Sequence, residues 1–206
     1  MRKNKIIARK KQAVATRQKI FRTALKLFYK EGFDKVTVDD ICKKAGVSHG
    51  TFYVYFKKRE QVVLDIFTTT DQIYDTFVAN ELVSLSDPIE KLRLLGEKAL
   101  RRTEELGVDV MQIEYRARLA INKRGDVHFT ERRSTYKNVL ALVEEAQKCG
   151  CIRLDWSSEE ITRIILRCIG GTIDSWSIVG GSFDLISEGK KVFDVLLKGL
   201  RPDSQK

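Results

Sequence analysis

The chain has 206 residues, of which 43% are hydrophobic and 32% charged, and its formal net charge is +10. This hydrophobic fraction is enough to bury a core, which excludes wholesale disorder, and no run approaches the roughly 20 apolar residues of a membrane-spanning helix. Residues 1–61 contain 17 basic and 5 acidic side chains, whereas residues 62–206 contain 21 basic and 23 acidic ones. A basic segment on a nearly neutral body indicates that the segment binds a polyanion, either nucleic acid or an anionic membrane surface.

The first 20 residues begin with basic side chains but lack the apolar run of a secretory signal, so we expect a cytoplasmic protein. In that compartment the cysteines are predicted to be reduced and mostly buried; they are Cys42, Cys149, Cys151 and Cys168. Neither the Cys-x-Cys pair nor the two histidines, His49 and His128, has the spacing of a metal site. The sequence also lacks a catalytic triad, a phosphate-binding glycine loop and paired carboxylates, so we expect no cofactor and no enzymatic activity.

The N-terminal region is predicted to begin with a basic, flexible arm over residues 1–13, because six lysines and arginines occur there without an acid. A helix is expected to start at Thr16, whose hydroxyl can cap free backbone N–H groups, and to end at Gly32. The arm either contacts DNA or serves only as a solubilising tail, and the sequence leaves both alternatives open.

Two short helices are predicted next, separated by a glycine turn. Thr37 and Asp40 have the spacing of a capping box, which opens a helix ending near Ala45. Gly46 then makes the turn, and Ser48 caps a third helix that ends near residue 56. This arrangement is typical of a helix-turn-helix DNA-binding unit, although any compact three-helix domain shows a similar periodicity.

The remaining residues are predicted to form six helices, because caps, glycines and a proline divide an otherwise helical pattern. Pro88 suits the first turn of a helix, and Ser157 with Glu160 forms a second capping box. The expected helices lie at about residues 58–84, 88–106, 108–123, 126–149, 158–179 and 184–200. These elements together predict an all-α protein.

One run of the sequence carries a strong resemblance to a known family. Residues 37–60 read TVDDICKKAGVSHGTFYVYFKKRE. They fit the pattern T-x-x-x-I-A-x-x-A-G-V-S-x-G-T-[LF]-Y-x-[HY]-F-x-x-K-[ED], except that Cys42 replaces the usual alanine and Arg59 the usual lysine. The run therefore resembles the N-terminal domain of TetR-family transcriptional regulators, and the match extends over residues 16–64.

The resemblance implies an N-terminal three-helix DNA-binding domain over residues 14–57, with its third helix in the major groove, where base edges distinguish all four base pairs. Thr51, Tyr53 and Arg59 are expected on phosphates, and His49 and Tyr55 on the operator-facing surface. Thr37 also fits a simple helix cap, and His49 and Tyr53 also fit ordinary surface side chains. The full set implied in DNA binding is Thr37, Lys44, His49, Gly50, Thr51, Tyr53, Tyr55 and Arg59.

The resemblance also implies a TetR-like body over residues 58–206 that senses a ligand and forms a homodimer. The candidate pocket residues are Phe67, Tyr74, Phe77, Met111, Tyr115, Arg118, Leu119 and Trp176. The candidate dimer-interface residues are Ile165, Ile169, Ile173, Phe193, Leu196 and Leu197. Ordinary packing within one protomer would explain either set equally well.

We therefore interpret the chain as a ligand-responsive regulator, a repressor that binds a palindromic DNA operator as a dimer and is released by a hydrophobic or acidic small molecule. The alternative is a DNA-binding regulator or architectural protein that is controlled by a protein partner and has no metabolite pocket. A membrane-surface protein is disfavoured, because residues 1–13 lack an apolar face for insertion.

Overall fold

The computed structural model describes residues 2–121, 131 and 133–202, and these residues form the all-α protein that the sequence predicts. None of the helices in this part of the chain is long and apolar enough to cross a membrane. The predicted start of a helix at residue 126 and His128 both lie outside the described residues. The helices are α1 (Arg2–Glu31), α2 (Val38–Ala45), α3 (His49–Tyr55), α4 (Arg59–Phe77), α5 (Pro88–Leu106), α6 (Val108–Ile121), α7 (Ser134–Lys148), α8 (Ser158–Ile178) and α9 (Leu185–Gly199).

The first helix is longer than predicted. It begins at Arg2, so the described part of the predicted flexible arm is helical. Thr16 does not cap it, because its hydroxyl donates a hydrogen bond to the carbonyl of Gln12 at 2.9 Å, one turn earlier. Residues 2–15 contain neither glycine nor proline and are rich in lysine, arginine and alanine. These residues favour a helix, and nothing in them would end it.

The caps of the short helices are confirmed. Thr37 and Asp40 form the reciprocal capping box at the start of α2, and Gly46 ends that helix with a φ of +60°. The Ser48 side chain accepts a hydrogen bond from the backbone N–H of Thr51 at 3.1 Å. The turn between α2 and α3 therefore has both its ends fixed by short-range hydrogen bonds.

Helices α1 to α3 enclose a core of their own, which α4 and α6 complete. Phe28, Ile41, Phe52 and Phe56 are buried there. The same cluster includes Val62, Val63 and Ile66 of α4 and Ile113 of α6. We call α1 to α3 the head and the remaining helices the body. The head thus rests on two helices of the body.

The body packs around a second core, formed mainly by α5, α7, α8 and α9. After Phe77, α4 continues as one turn of π-helix, Val78–Leu82. Helices α5 and α9 approach closely where Gly189 lies, because a side-chain carbon there would come within 2.5 Å of Leu100. The second capping box, Ser157 with Glu160, begins α8 as predicted.

The cysteines differ from the prediction that all four thiols are reduced. Cys149 and Cys151 are joined by a disulfide. Gly150 lies between them with a φ of +68°, and this left-handed turn at the end of α7 brings the two Cα atoms to 5.4 Å. Cys42 and Cys168 are free thiols, the first buried and the second half-buried.

Candidate functional site

Helix α3 exposes large side chains on the side that faces away from the core of the head. Phe52 is buried beneath the helix, whereas Tyr53 is 52% and Val54 76% exposed. His49 and Gly50 are exposed beside them, and the His49 imidazole forms an ion pair with Asp39 of α2. Large apolar side chains exposed next to one another on a seven-residue helix indicate a binding surface.

The fold itself does not require a glycine at position 50. Its backbone does not have a positive φ, and a side-chain carbon at this position would lie 3.8 Å from the Ser48 hydroxyl, which is an ordinary contact. The fold would therefore accept alanine. A glycine at this position keeps the surface of α3 open to whatever approaches it.

The other predicted DNA-binding residues divide into exposed and packed groups. Lys44 and Thr37 are exposed, although the Thr37 hydroxyl already donates to the Asp40 carboxylate at 2.6 Å. Thr51 is half-buried and hydrogen-bonded to Ser48 through its hydroxyl at 2.9 Å. Tyr55 is half-buried against the core of the head, so only part of its ring faces outward.

Arg59, predicted on a phosphate, has partners inside the head instead. Its guanidinium donates to the carbonyls of Val36 at 2.8 Å and Asp34 at 3.3 Å, and it lies 4.3 Å from the centre of the Phe33 ring. The two carbonyls belong to the segment that leads into α2. Arg59 thus fixes this segment to the first turn of α4 through its Nη1 atom, which donates to both carbonyls.

A second link between head and body was not predicted. Arg17 of α1 forms an ion pair with Asp65 of α4, and its guanidinium lies 5.3 Å from the centre of the Phe56 ring. Asp65 is buried, and its burial raises the pKa of the carboxyl, an effect that Arg17 opposes. The pair holds α4 against the head.

The body contains a cavity of about 110 Å³ between α4 and α8. All six helices of the body contribute to its wall, which is mainly apolar. The apolar lining residues are Ile66, Leu92, Leu95, Ala99, Leu106, Met111, Val139, Ile165, Leu166, Ile169, Ile173 and Phe193, and Gly96 and Gly170 complete this part of the wall. The polar lining residues are Thr70, Tyr74, Arg102, Thr103, Glu114, Arg133 and Thr135.

Some of the polar residues of the wall share a partner or lie close to one another. Arg133 donates to the Asp71 carboxylate through Nη2 at 2.8 Å and Nε at 3.2 Å, and Thr135 binds the same carboxylate. Burial raises the pKa of the Tyr74 hydroxyl, and the charges of Arg133 and Arg102 act in the opposite direction. Both arginines therefore lie within electrostatic range of Tyr74.

Of the described residues that line the cavity, Glu114 is the only acid, and its side chain is 1% exposed. Burial raises its pKa to about 7, an effect that the neighbouring Arg118 opposes with its Nε 3.0 Å away. Arg118 also pairs with Asp174 of α8. A carboxyl group with this pKa is partly protonated at neutral pH.

Two of the predicted pocket residues, Tyr74 and Met111, line the cavity. Most of the others do not. Phe77 is buried outside it, Leu119 is 64% exposed, and Trp176 donates to the carbonyl of Phe183 at 3.0 Å. Tyr115 and Arg118 lie together beside the cavity, and the side chain of Phe67 is outside the described part of the structure.

The predicted dimer-interface residues pack within the protomer, and their contact with a second subunit stays a prediction. Ile165, Ile169, Ile173 and Phe193 line the cavity, and Leu196 and Leu197 pack against the core of the body. Ile169 and Leu196 are half-buried, and the other four side chains are buried. The outward surface of α8 and α9 consists of other residues, among them the exposed Ile178, Val192 and Val195, together with Gly171.

The described residues contain no group of three histidines, cysteines or acids that could hold a metal ion.

The comparisons with known proteins agree with a regulator. The family profile described as "Bacterial regulatory proteins, tetR family" matches residues 20–66. The HTH-type transcriptional repressor BepR of Brucella suis biovar 1 (strain 1330) is 26% identical over 208 residues, which cover 93% of this chain and 95% of BepR.

Two further similarities concern regulators of fatty acid metabolism. The fatty acid metabolism regulator protein of Bacillus subtilis (strain 168) is 24% identical over 88% of this chain and 93% of its own. The crystal structure of Thermus thermophilus FadR, described as a TetR-family transcriptional repressor in complex with lauroyl-CoA, superimposes with a TM-score of 0.67 at 24% identity over 92% of this chain and 97% of FadR. The helix-turn-helix head therefore matches the profile of the TetR family of bacterial regulatory proteins, and almost the whole chain is similar in sequence and in fold to regulators of this kind.

Proposed function

We propose that the protein is a transcriptional repressor that binds a palindromic DNA operator as a homodimer and is released when a small molecule enters the cavity of the body. The observation that carries this proposal is the position of Ile66 of α4. Its side chain belongs to the core of the head and also lines the cavity. A molecule that presses on the cavity wall therefore presses on the core of the DNA-binding domain.

Helix α4 transmits this change. Ile66, Thr70 and Tyr74 recur every four residues, so one face of α4 forms part of the cavity wall. The N-terminal end of the same helix is fixed to the head by Arg59 and Asp65. A shift of α4 therefore moves the head as well, because this helix packs in the cavity wall and its N-terminal end is bound to the head.

Helix α6 supports the transmission from a second side. Met111 and Glu114 line the cavity, whereas Ile113 is buried in the core of the head. Both α4 and α6 therefore touch the cavity and the core of the head, and so does Leu106 at the end of α5. A ligand releases DNA only through its difference in affinity between the two arrangements of these helices.

The exposed face of α3 is the DNA-reading surface. The open surface at Gly50 allows a close approach of the DNA, and Tyr53 and Val54 contact bases or sugars in the major groove. Lys44, Thr37 and Thr51 contact phosphates, and the charge of residues 1–61 supplies the general attraction to DNA. His49 belongs to the same surface, where its imidazole contacts the Asp39 carboxylate.

A homodimer places two such surfaces on the operator. Reading successive turns on one side of DNA requires a spacing of about 34 Å between the recognition helices. The outward face of α8 and α9 supplies an apolar patch for the contact, with Ile178 61% and Val195 70% exposed. Gly171 has open space above it, so a second helix can approach its backbone. The dimer acts in the bacterial cytoplasm, where the operator is.

The apolar cavity wall supports an effector with a hydrocarbon chain. The Thermus thermophilus FadR is described in complex with lauroyl-CoA. The same kind of chain suits the twelve apolar side chains that line the cavity here. The existence of this cavity also weighs against a regulator that is controlled by a protein partner alone.

The experiment that tests the function has two stages. The purified full-length protein selects its operator from a random pool of double-stranded DNA, and we expect a palindromic sequence to be enriched. Fluorescence anisotropy then measures release of this operator by a panel of apolar metabolites, including fatty acids and acyl-CoA thioesters. A pool without any enriched palindrome contradicts the proposal.

A further inference from the structure

The polar residues of the cavity wall include two arginines with unequal partners. Arg133 is neutralised by the two hydrogen bonds that it donates to Asp71. Within the described part of the chain, Arg102 pairs only with the side chain of Glu105, which is 63% exposed and lies 3.2 Å from the Arg102 Nη1 atom. An ion pair with so exposed an acid contributes little, because water screens it.

The inner part of the Arg102 guanidinium lacks a hydrogen bond in the described structure. Its Nε atom is buried and has no partner among the described residues. A buried N–H group without an acceptor is unfavourable, and an oxygen supplied by a ligand would remove this cost. Because Arg102 lines the cavity, an occupant of the cavity can reach it.

We propose that the polar part of the cavity binds the carboxylate of an amphipathic effector, with the Arg102 guanidinium as its charged partner and the apolar wall around the chain. This inference rests on the function proposed above and specifies the chemical class of its effector. The ligand is an apolar chain that ends in an anion. Neutral and cationic amphiphiles of the same length bind less tightly.

The charges around this position are compatible with an anion. Asp71 of α4 is occupied by Arg133 and Thr135, and Asp174 of α8 is paired with Arg118. Glu114, the acid of the wall, pairs with Arg118, and burial raises its pKa to about 7, so at neutral pH it is partly uncharged. A cationic head group at this position is repelled by Arg102.

The test compares four amphiphiles with the same chain length on the full-length protein. Dodecanoate, dodecanol, dodecyltrimethylammonium and lauroyl-CoA are titrated below their micelle concentrations, and binding is measured by calorimetry. We expect dodecanoate to bind at least about tenfold more tightly than dodecanol, the effect of one charge-assisted hydrogen bond. The lauroyl-CoA arm distinguishes a free carboxylate from a thioester of an anionic carrier.

Variants assign the effect to Arg102. Arg102→Met removes the charge but keeps the side-chain stem, and we expect it to lose the preference for dodecanoate while binding dodecanol as before. Arg102→Lys is expected to keep part of the preference. Arg101→Met is the matched control, because Arg101 is the next residue of α5, is 54% exposed and pairs with Glu97. It should bind all four amphiphiles like the wild type.

The inference would be overturned if dodecanol or the cationic amphiphile bound as tightly as dodecanoate. It would also be overturned if Arg102→Met weakened the binding of dodecanoate and dodecanol equally. A third contradicting result is that dodecanoate does not bind, while lauroyl-CoA binds wild type and Arg102→Met alike. Operator release is measured separately. Dodecanoate that binds through Arg102 without releasing the operator contradicts the proposed function but supports this inference. If another small molecule releases the operator and dodecanoate does not bind, the result supports the proposed function and contradicts this inference.

Discussion

The head and the body of this protein use their side chains in opposite ways. The head buries its aromatic residues in a small core and exposes Tyr53 and Val54 on α3, so its function lies on its surface. The body encloses a lined cavity, so the sensing function that we propose for it lies in its interior. A DNA-binding surface of this kind can be recognised in the sequence, because its motif has particular residues at fixed positions. An interior cavity cannot, because the sequence does not distinguish its apolar lining residues from other core residues.

The strongest test of this comparison removes the core of the head alone. Phe52 is fully buried between α3 and the rest of the head, and Phe52→Ala is expected to destabilise the head by about 3–5 kcal/mol. Operator binding should disappear, while the cavity of the body still binds its ligand. Thermal unfolding followed by circular dichroism, together with ligand calorimetry, measures the two effects.

Val54→Ala is the control for that experiment, since Val54 lies on the same helix but is 76% exposed. Its stability should stay within about 0.5 kcal/mol of the wild type. If Phe52→Ala also abolished ligand binding, head and body would form a single cooperative unit, and the division proposed above would not hold.

A second prediction concerns the interior of the body. The pKa of Glu114 is raised from 4.5 to about 7 by burial, although Arg118 and Arg133 favour its charged form and Asp174 opposes it. The folded protein therefore keeps a proton that the unfolded chain releases. This contribution to stability is complete below about pH 4.5 and is lost as the pH rises through about 7, by up to about 3 kcal/mol.

Glu114→Gln isolates this effect, because glutamine has the same shape and does not titrate. Urea unfolding of both proteins between about pH 4.5 and 8 gives their free energies of unfolding. The wild type should lose stability relative to the variant across this range. A constant difference between the two proteins would show that Glu114 ionises in the folded state as it does in water.

The third prediction returns to the surface of the head. Gly50→Ala meets no obstacle within the protein, and alanine favours a helix over glycine by up to about 1 kcal/mol. Stability should therefore stay the same or rise. The affinity for the operator should fall about tenfold or more, because the added methyl group holds α3 away from the DNA. Anisotropy with the selected operator measures the loss, and a variant with unchanged affinity would place Gly50 outside the interface.

The same contrast explains how much could be predicted from the sequence. The capping boxes at Thr37 and Ser157 and the glycine turn at Gly46 were correct, because each depends on residues three or four positions apart. The start of α1 was wrong, since an uninterrupted helical sequence contains no signal for a boundary before Thr16. The disulfide of Cys149 was missed because the left-handed turn at Gly150 was not considered.

The cavity was the least predictable part. Helical periodicity identified α8 and α9 as apolar but could not say which face was turned inward, so residues such as Ile173 and Phe193 were assigned to the dimer interface. Arg102 and Glu114 were not predicted at all. A charged residue in an amphipathic helix is usually solvated, and only the packing of α5 and α6 against the other helices reveals that these two line a cavity.

The smallest expected effect distinguishes the sequence-based role of Arg59 from its structural one. If its guanidinium binds a phosphate, Arg59→Met should lower the slope of log affinity against log salt concentration by nearly one. If it remains bound to the carbonyls of Val36 and Asp34, the slope should stay the same and the protein should lose about 1 kcal/mol of stability instead.

Lys44→Met is the matched comparison for this last experiment, because Lys44 is exposed and has no such role in the packing of the head. Its slope should fall by nearly one while its stability is unchanged. We expect the two variants to separate in this way, since Arg59 also lies 4.3 Å from the centre of the Phe33 ring and would lose that contact by turning to DNA. A lowered slope in both variants would mean that DNA binding draws Arg59 out of the head and frees the segment before α2.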